Sequence, residues 1–202
     1  MHAGQGCALQ TRVLLPRSRY DEGVAILTAV MQNIPYGDPT DMTNIQGPQV
    51  SALQRDRVQG HIDRAVEQGA RLAVGGGRPA NLPKGYFIEP TLFVDVDNSM
   101  AIAQEEVFGP VLAVIPYDDD EDAIRIANDS QYGLSGGVFS GSLERGMAIA
   151  DRIRTGSISV NGGIWYGADA PYGGYKTSGI GRQNGIEGFE QYTETKLVGW
   201  LS

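Results

Sequence analysis

The sequence predicts an α/β fold, a mainly parallel central sheet of five or more strands with helices on both faces. Short apolar runs alternate along the chain with amphipathic segments of helical period, the order expected of βαβ crossovers. Hydrophobic residues make up 41% and charged residues 20%, the balance of a packed core with a wetted surface. At 202 residues the chain is long enough for one domain with a full layered core, and no repeat or linker divides it.

Taken in order, residues 11–16 (TRVLLP) read as a short strand. Residues 18–34 read as a helix, with Tyr20, Val24, Leu27, Val30 or Met31, and Ile34 on one face. Pro35, Gly37, Asp38 and Pro39 end it and open a polar loop to Val50. Ser51 with Gln54 forms a capping box, and Leu53, Val58, Ile62 and Val66 supply the stripe of the next helix. Gly69 stops that helix, residues 71–74 form a strand, and GGGRPANLPKG is loop. Residues 87–94 read as a strand interrupted by Pro90, which implies an edge or a bulge. A short helix is expected over 100–105, a buried strand over 111–117, and a helix over 120–128 whose first-turn acids suit the helix dipole. Residues 134–139 give a strand, Leu143, Met147, Ala150 and Ile153 mark a helix, and residues 157–160 give another strand. A stretch dense in glycine and aromatics follows, then a short helix near 185–190 and a last strand at 193–200.

Composition excludes several classes of function. The net charge is −8, with Asp118, Asp119, Asp120, Glu121 and Asp122 in one cluster and no basic stripe. Nucleic acid and a polyanionic membrane surface are therefore poor partners. No apolar run approaches the roughly 20 residues that span a bilayer, and the N-terminus lacks the basic start and apolar stretch of a signal peptide. A cytoplasmic location is expected. Cys7 is the one cysteine, so an intramolecular disulfide and a cysteine-based zinc cage are excluded. His2 and His61 have no ligand-like spacing with it, and no metal is expected. By residue type alone, a lone cysteine is either a small buried hydrophobe, the commoner case, or a reactive thiol.

Glycine, at 28 residues, is concentrated in loops, where it serves tight turns or close approach to a ligand. GIGRQNG at 179–185 has the spacing G-x-G-x-x-x-G and follows no apolar strand; no acidic residue stands about 20 positions on. It reads as a structural turn. GGG at 75–77 lacks the Lys-Ser/Thr of a phosphate loop. On motif logic the chain has no nucleotide-binding fold of its own.

Three segments carry more: GQGC at 4–7, EEVFGPV at 105–111 and APYGGYKTSGIGR at 170–182. With GPQV (47–50), GYFIEPT (85–91), NDSQYGLSGGVF (128–139) and GFEQYTETK (188–196), the chain resembles the aldehyde dehydrogenase superfamily over its whole length, in order and at family spacing. The resemblance implies a three-layer αβα catalytic domain in which Cys7 is the nucleophile. The thiolate attacks an aldehyde, hydride passes to the nicotinamide of NAD or NADP, and water hydrolyses the thioester to a carboxylic acid. Gly4 and Gly6 would let backbone approach the substrate, and the Cys7 N–H would help hold the oxyanion. Glu106 and Phe108 match the family positions that meet the cofactor, by ribose hydrogen bonds and by packing near the nicotinamide. Glu105 is expected to face solvent.

Residues 161–172 (NGGIWYGADAPY) correspond to the loop that lines the substrate tunnel, with Ile164, Trp165, Tyr166 and Tyr172 as an apolar wall suited to an uncharged aldehyde. No Arg or Lys lies within it to hold a substrate carboxylate, though Arg12 is a nearby cation in sequence. The family's general-base glutamate, a second oxyanion donor and the Rossmann-like cofactor domain lie upstream of the cysteine and are expected to be absent from this chain. The chain is then a truncated piece, or one half of a split enzyme, and is expected not to turn over aldehyde alone. Homo-oligomerisation is expected through the last strand, from Thr193 to Trp200. Two other readings stand beside this one, an inactive assembly or interaction module and a residual thiol esterase acting through Cys7.

Overall fold

The computed structural model describes residues 2–163 and 166–201. Its backbone falls into two compact units, Met1–Asp129 and Ser130–Ser202.

The first unit holds strands β1 (Arg12–Pro16), β2 (Arg71–Val74), β3 (Thr91–Val94) and β4 (Val111–Tyr117) in the order β1-β4-β3-β2. β1 and β3 run parallel to the central β4, and β2 closes the edge antiparallel to β3, with a bulge between Leu72 and Val74. The four helices are α1 (Tyr20–Gln32), α2 (Ala52–Glu67), α3 (Ala101–Gln104) and α4 (Asp120–Asn128). Strand side chains alternate between the two faces of the sheet. Phe93, Val111, Ala113 and Ile115 pack with Val58, Ile62 and Ala65 of α2, Ile102 and Ala103 of α3, and Ile126 of α4. Leu92, Val94 and Val114 pack instead with Tyr20, Val24, Leu27 and Met31 of α1. The result is helix, sheet, helix, as the resemblance implies.

Side-chain caps fix where these helices begin. The Ser51 hydroxyl accepts from Gln54 N at 3.2 Å and starts α2, and the Asp119 carboxylate accepts from Asp122 N at 2.9 Å and starts α4. The Tyr20 hydroxyl accepts from Asp95 N at 2.6 Å and donates to the Val114 carbonyl at 3.4 Å, which pins the head of α1 to the sheet. No helix among the described residues is long and apolar enough to cross a membrane.

In the second unit β5 (Ser135–Val138) and β6 (Ser157–Val160) pair in parallel and are joined through α5 (Leu143–Ala150). A Cβ at Gly146 would lie 2.7 Å from a Val160 methyl, so α5 rides close on β6. The short α6 (Gly185–Glu190) follows.

Three expectations need correction. Among the described residues, the single sheet of five or more strands is replaced by a four-stranded and a two-stranded sheet. Period-two patterning reports strands and is silent on which of them are neighbours. The strand at 87–94 begins only at Thr91, because Pro90 has no N–H to give a ladder. Residues 193–200 form no strand, and Leu197, Val198 and Trp200 are exposed. Their pattern has strand propensity, but a strand needs a neighbour to complete its backbone hydrogen bonds.

Candidate active site

Cys7 stands on a tight turn, where Leu9 N donates to the Gly6 carbonyl at 3.0 Å, and its side chain is exposed. The small buried hydrophobe that residue type favours is not what the structure shows. Upstream, Gly4 has φ of +75°, and a Cβ there would overlap the Gly109 carbonyl and lie 2.7 Å from Pro110 N. Glycine is required so that the thiol turn can touch the backbone of residues 109–110. Ala3 is 2% exposed, and its carbonyl accepts from Gln49 Nε2 at 3.0 Å. Gln5 works in both directions. Its Nε2 donates to the carbonyls of His2 (3.0 Å) and Pro48 (3.4 Å), and its Oε1 accepts from Val50 N at 2.8 Å.

The loop at 105–110 is held as firmly. Val107 is buried in the core beside α2, and the Pro110 carbonyl accepts from Thr91 N at 2.8 Å. A Cβ on Gly109 would lie 2.5 Å from a Val58 methyl. Gln54 Nε2 donates to the Phe108 carbonyl at 2.9 Å and the Val107 carbonyl at 3.4 Å. Phe108 itself has φ of +54°, a left-handed conformation uncommon for a residue with a side chain. Between these anchors Glu106 is exposed and Phe108 half-buried. An exposed carboxylate two residues from an aromatic ring offers acceptors for a sugar diol and a flat face for a planar ring.

Glu105 is exposed, as expected, and forms an ion pair with Arg64 of α2, with His61 Nδ1 3.9 Å from the same carboxylate. Arg64 also donates to His61 Nδ1 at 3.1 Å, which suits a neutral ring. Burial and the Arg64 charge push the His61 pKa down, and Glu105 opposes them. A folded pKa below the unfolded 6.5 means that His61 stabilises the fold above that pH, and this contribution is lost as pH falls through the folded value. Urea midpoints at about pH 7.5 and about pH 5.5 are therefore expected to differ less in His61→Gln than in the native chain.

Arg12 is not available to a substrate. Its guanidinium donates to Asn98 Oδ1 (2.7 Å) and to the carbonyls of Ile126 (3.1 Å) and Ala127 (3.0 Å), closing the C-terminal end of α4. Of the substrate-loop residues, Ile164 and Trp165 lie outside the described residues. Tyr166 and Tyr172 belong to the second unit, where their rings meet edge to face at 5.1 Å. Among the described residues no group of three or more His, Cys, Asp or Glu is placed to hold a metal ion. The sequence gives no sign of the bracing by Gln5 and Gln49 beyond their places in the GQGC and GPQV motifs, and the Gln54 expected to complete a capping box turns its side chain to the Val107 and Phe108 carbonyls instead.

Fold and loops together define an α/β scaffold that presents one exposed thiol from a turn braced against a carboxylate-bearing loop. The aldehyde dehydrogenase family model matches residues 1–198, and the chain belongs to that family. It is 46% identical over 199 residues to a 3-succinoylsemialdehyde-pyridine dehydrogenase of a Pseudomonas species, covering 98% of this chain and 42% of that relative. A crystal structure of Mycobacterium tuberculosis aldehyde dehydrogenase complexed with NAD+ superposes with a TM-score of 0.91 at 56% identity, over 95% of this chain and 40% of that one. A mutant of Pseudomonas syringae aldehyde dehydrogenase C, in complex with NAD+ and octanal, superposes with a TM-score of 0.93 at 42% identity, over 96% of this chain and 40% of that one. The chain thus spans less than half the length of these relatives.

Proposed function

We propose that this chain supplies the nucleophile and the nicotinamide-facing loop of an NAD(P)-dependent aldehyde dehydrogenase that converts an aldehyde to a carboxylic acid. The observation that carries this reading is the exposed Cys7 turn in backbone contact, at Gly4, with the loop bearing Glu106 and Phe108. Cys7, as thiolate, adds to the carbonyl carbon and forms a C–S bond, and its backbone N–H serves the resulting oxyanion. The oxidised nicotinamide, when bound, supplies the hydride acceptor. Cys7 then holds the acyl group as a thioester until water releases the acid. Glu106 accepts from ribose hydroxyls, and Phe108 packs beside the nicotinamide; the NAD+ held by the solved relatives supports this assignment.

The substrate class this reading favours is an uncharged aldehyde. The internal bonds of Arg12 remove a cation that a second carboxylate would need, and one relative was solved with octanal. Self-association through residues 193–200 and a cytoplasmic location belong to the same reading. Trp200 is 85% exposed beside exposed Leu197 and Val198. Exposed apolar clusters invite association, so sedimentation at tens of micromolar is expected to show a species above monomer mass that Trp200→Lys reduces.

Iodoacetamide tests the nucleophile directly. The native chain is expected to take up one carbamidomethyl group, on Cys7, at the rate of an accessible thiol. Protection of Cys7 until denaturation would refute the assignment.

A further inference from the structure

We infer that Gln54 is a positioning residue, one that sets the conformation of the 105–110 loop and, through it, the spacing between that loop and the Cys7 turn. The inference rests on the reading of Glu106 and Phe108 as cofactor-facing residues. Three segments of the first unit touch one another pairwise: residues 2–7, residues 105–110 and the junction 46–54 at the head of α2. Gln5 and Gln49 join the first to the third, Gln54 joins the third to the second, and Gly4 meets Gly109 where the first and second abut.

Gln54 stands at the third position of α2, where a glutamine can reach back to the helix start. The Ser51 hydroxyl caps its backbone N–H, and its side-chain Nε2 is instead spent on the carbonyls of Val107 and Phe108. Those two carbonyls flank the Cα of Phe108, the residue at φ +54°. Such a conformation persists only where neighbours over-determine it. The contacts of Val107 and Gly109 fix the ends of the segment, and the Gln54 amide grips its middle. Backbone movement at 108–109 is passed on at Gly4, three residues before Cys7, because Gly4 and Gly109 are in direct contact.

Gln54→Glu separates this role from support of the helix. Glutamate is as good as glutamine at that helix position, but it has no donor and sets a carboxylate against two carbonyl oxygens. Gln54→Lys returns a donor. The 202-residue chain, labelled with ¹⁵N, is compared as native protein, Gln54→Glu and Gln54→Lys, with oxidised nicotinamide mononucleotide as the probe for the nicotinamide end. In Gln54→Glu the amide resonances of residues 106–109, and those of Gly4 to Cys7, are expected to move while the thermal midpoint holds. Loss of such hydrogen bonds corresponds to about five- to tenfold weaker binding of the mononucleotide, with most of it regained in Gln54→Lys. Unmoved resonances at 105–110 in Gln54→Glu overturn the inference, as does movement that appears only with a fall in the thermal midpoint. If the mononucleotide shifts neither Glu106 nor Phe108 in the native chain, the cofactor reading fails, and the loop resonances alone decide the role of Gln54.

Discussion

Gly4→Ala is expected to destabilise the first unit by about 2–4 kcal/mol and to part the Cys7 turn from the loop carrying Glu106. Two costs add. The φ of +75° is in the left-handed region, which disfavours any residue with a Cβ. The new methyl would also overlap the Gly109 carbonyl, which is backbone and cannot rotate aside. Gly109 is itself pressed against the fully buried Val58, so the loop has nowhere to retreat. Steric overlap outweighs the dihedral cost here, because the dihedral cost could be borne with the loops still in place. Gly6→Ala is the control: its Cβ would meet only the Leu9 side chain at 3.3 Å, a neighbour that can turn. Urea unfolding of the two variants is expected to separate them clearly, with Gly6→Ala within about 1 kcal/mol of the native chain.

Cys7→Ser is expected to leave the fold intact and lower acyl transfer to residue 7 by about 10³-fold or more, while aldehyde oxidation by the 202-residue chain, expected to be absent already, does not change. The side chain is exposed and the change nearly isosteric, so no cavity and no buried unpaired group results. A hydroxyl is a weak nucleophile without an adjacent base, whereas a thiol is partly ionised near neutrality. Acyl transfer is read as nitrophenolate released from p-nitrophenyl octanoate, with the thermal midpoint as the check on folding.

Much of the first unit was legible in the sequence because its signals are local. Val111–Tyr117 and Asp120–Asn128 were read to the residue, since an uninterrupted apolar run and a capped acidic first turn mark their own boundaries. The Ser51 cap was equally plain. Sheet membership was not, because SGGV at 135–138 reads as a strand by its flanks while carrying no record of its partner. The tail at 193–200 failed for a related reason, as strand propensity there lacks a paired neighbour. At the candidate site, motifs placed Cys7, Glu106 and Phe108 on loops, but contact between those loops depends on Gly4 and Gly109 meeting across about a hundred residues of sequence. The partners of Arg12 and Glu105 are not legible in the sequence, because ion pairs and carbonyl contacts are made by fold neighbours, Asn98 and Arg64, that no spacing rule connects to them.

Acyl transfer from p-nitrophenyl octanoate, followed by peptide mapping, tests the central claim that Cys7 is the nucleophile of this site. The account predicts a single octanoyl group on the peptide containing Cys7, released by hydroxylamine and absent from Cys7→Ser. It also predicts slower acylation in Gly4→Ala, where the braced turn is displaced, than in Gly6→Ala. An octanoyl group on another side chain with Cys7 left unmodified, in protein whose Cys7 iodoacetamide still labels, would contradict it.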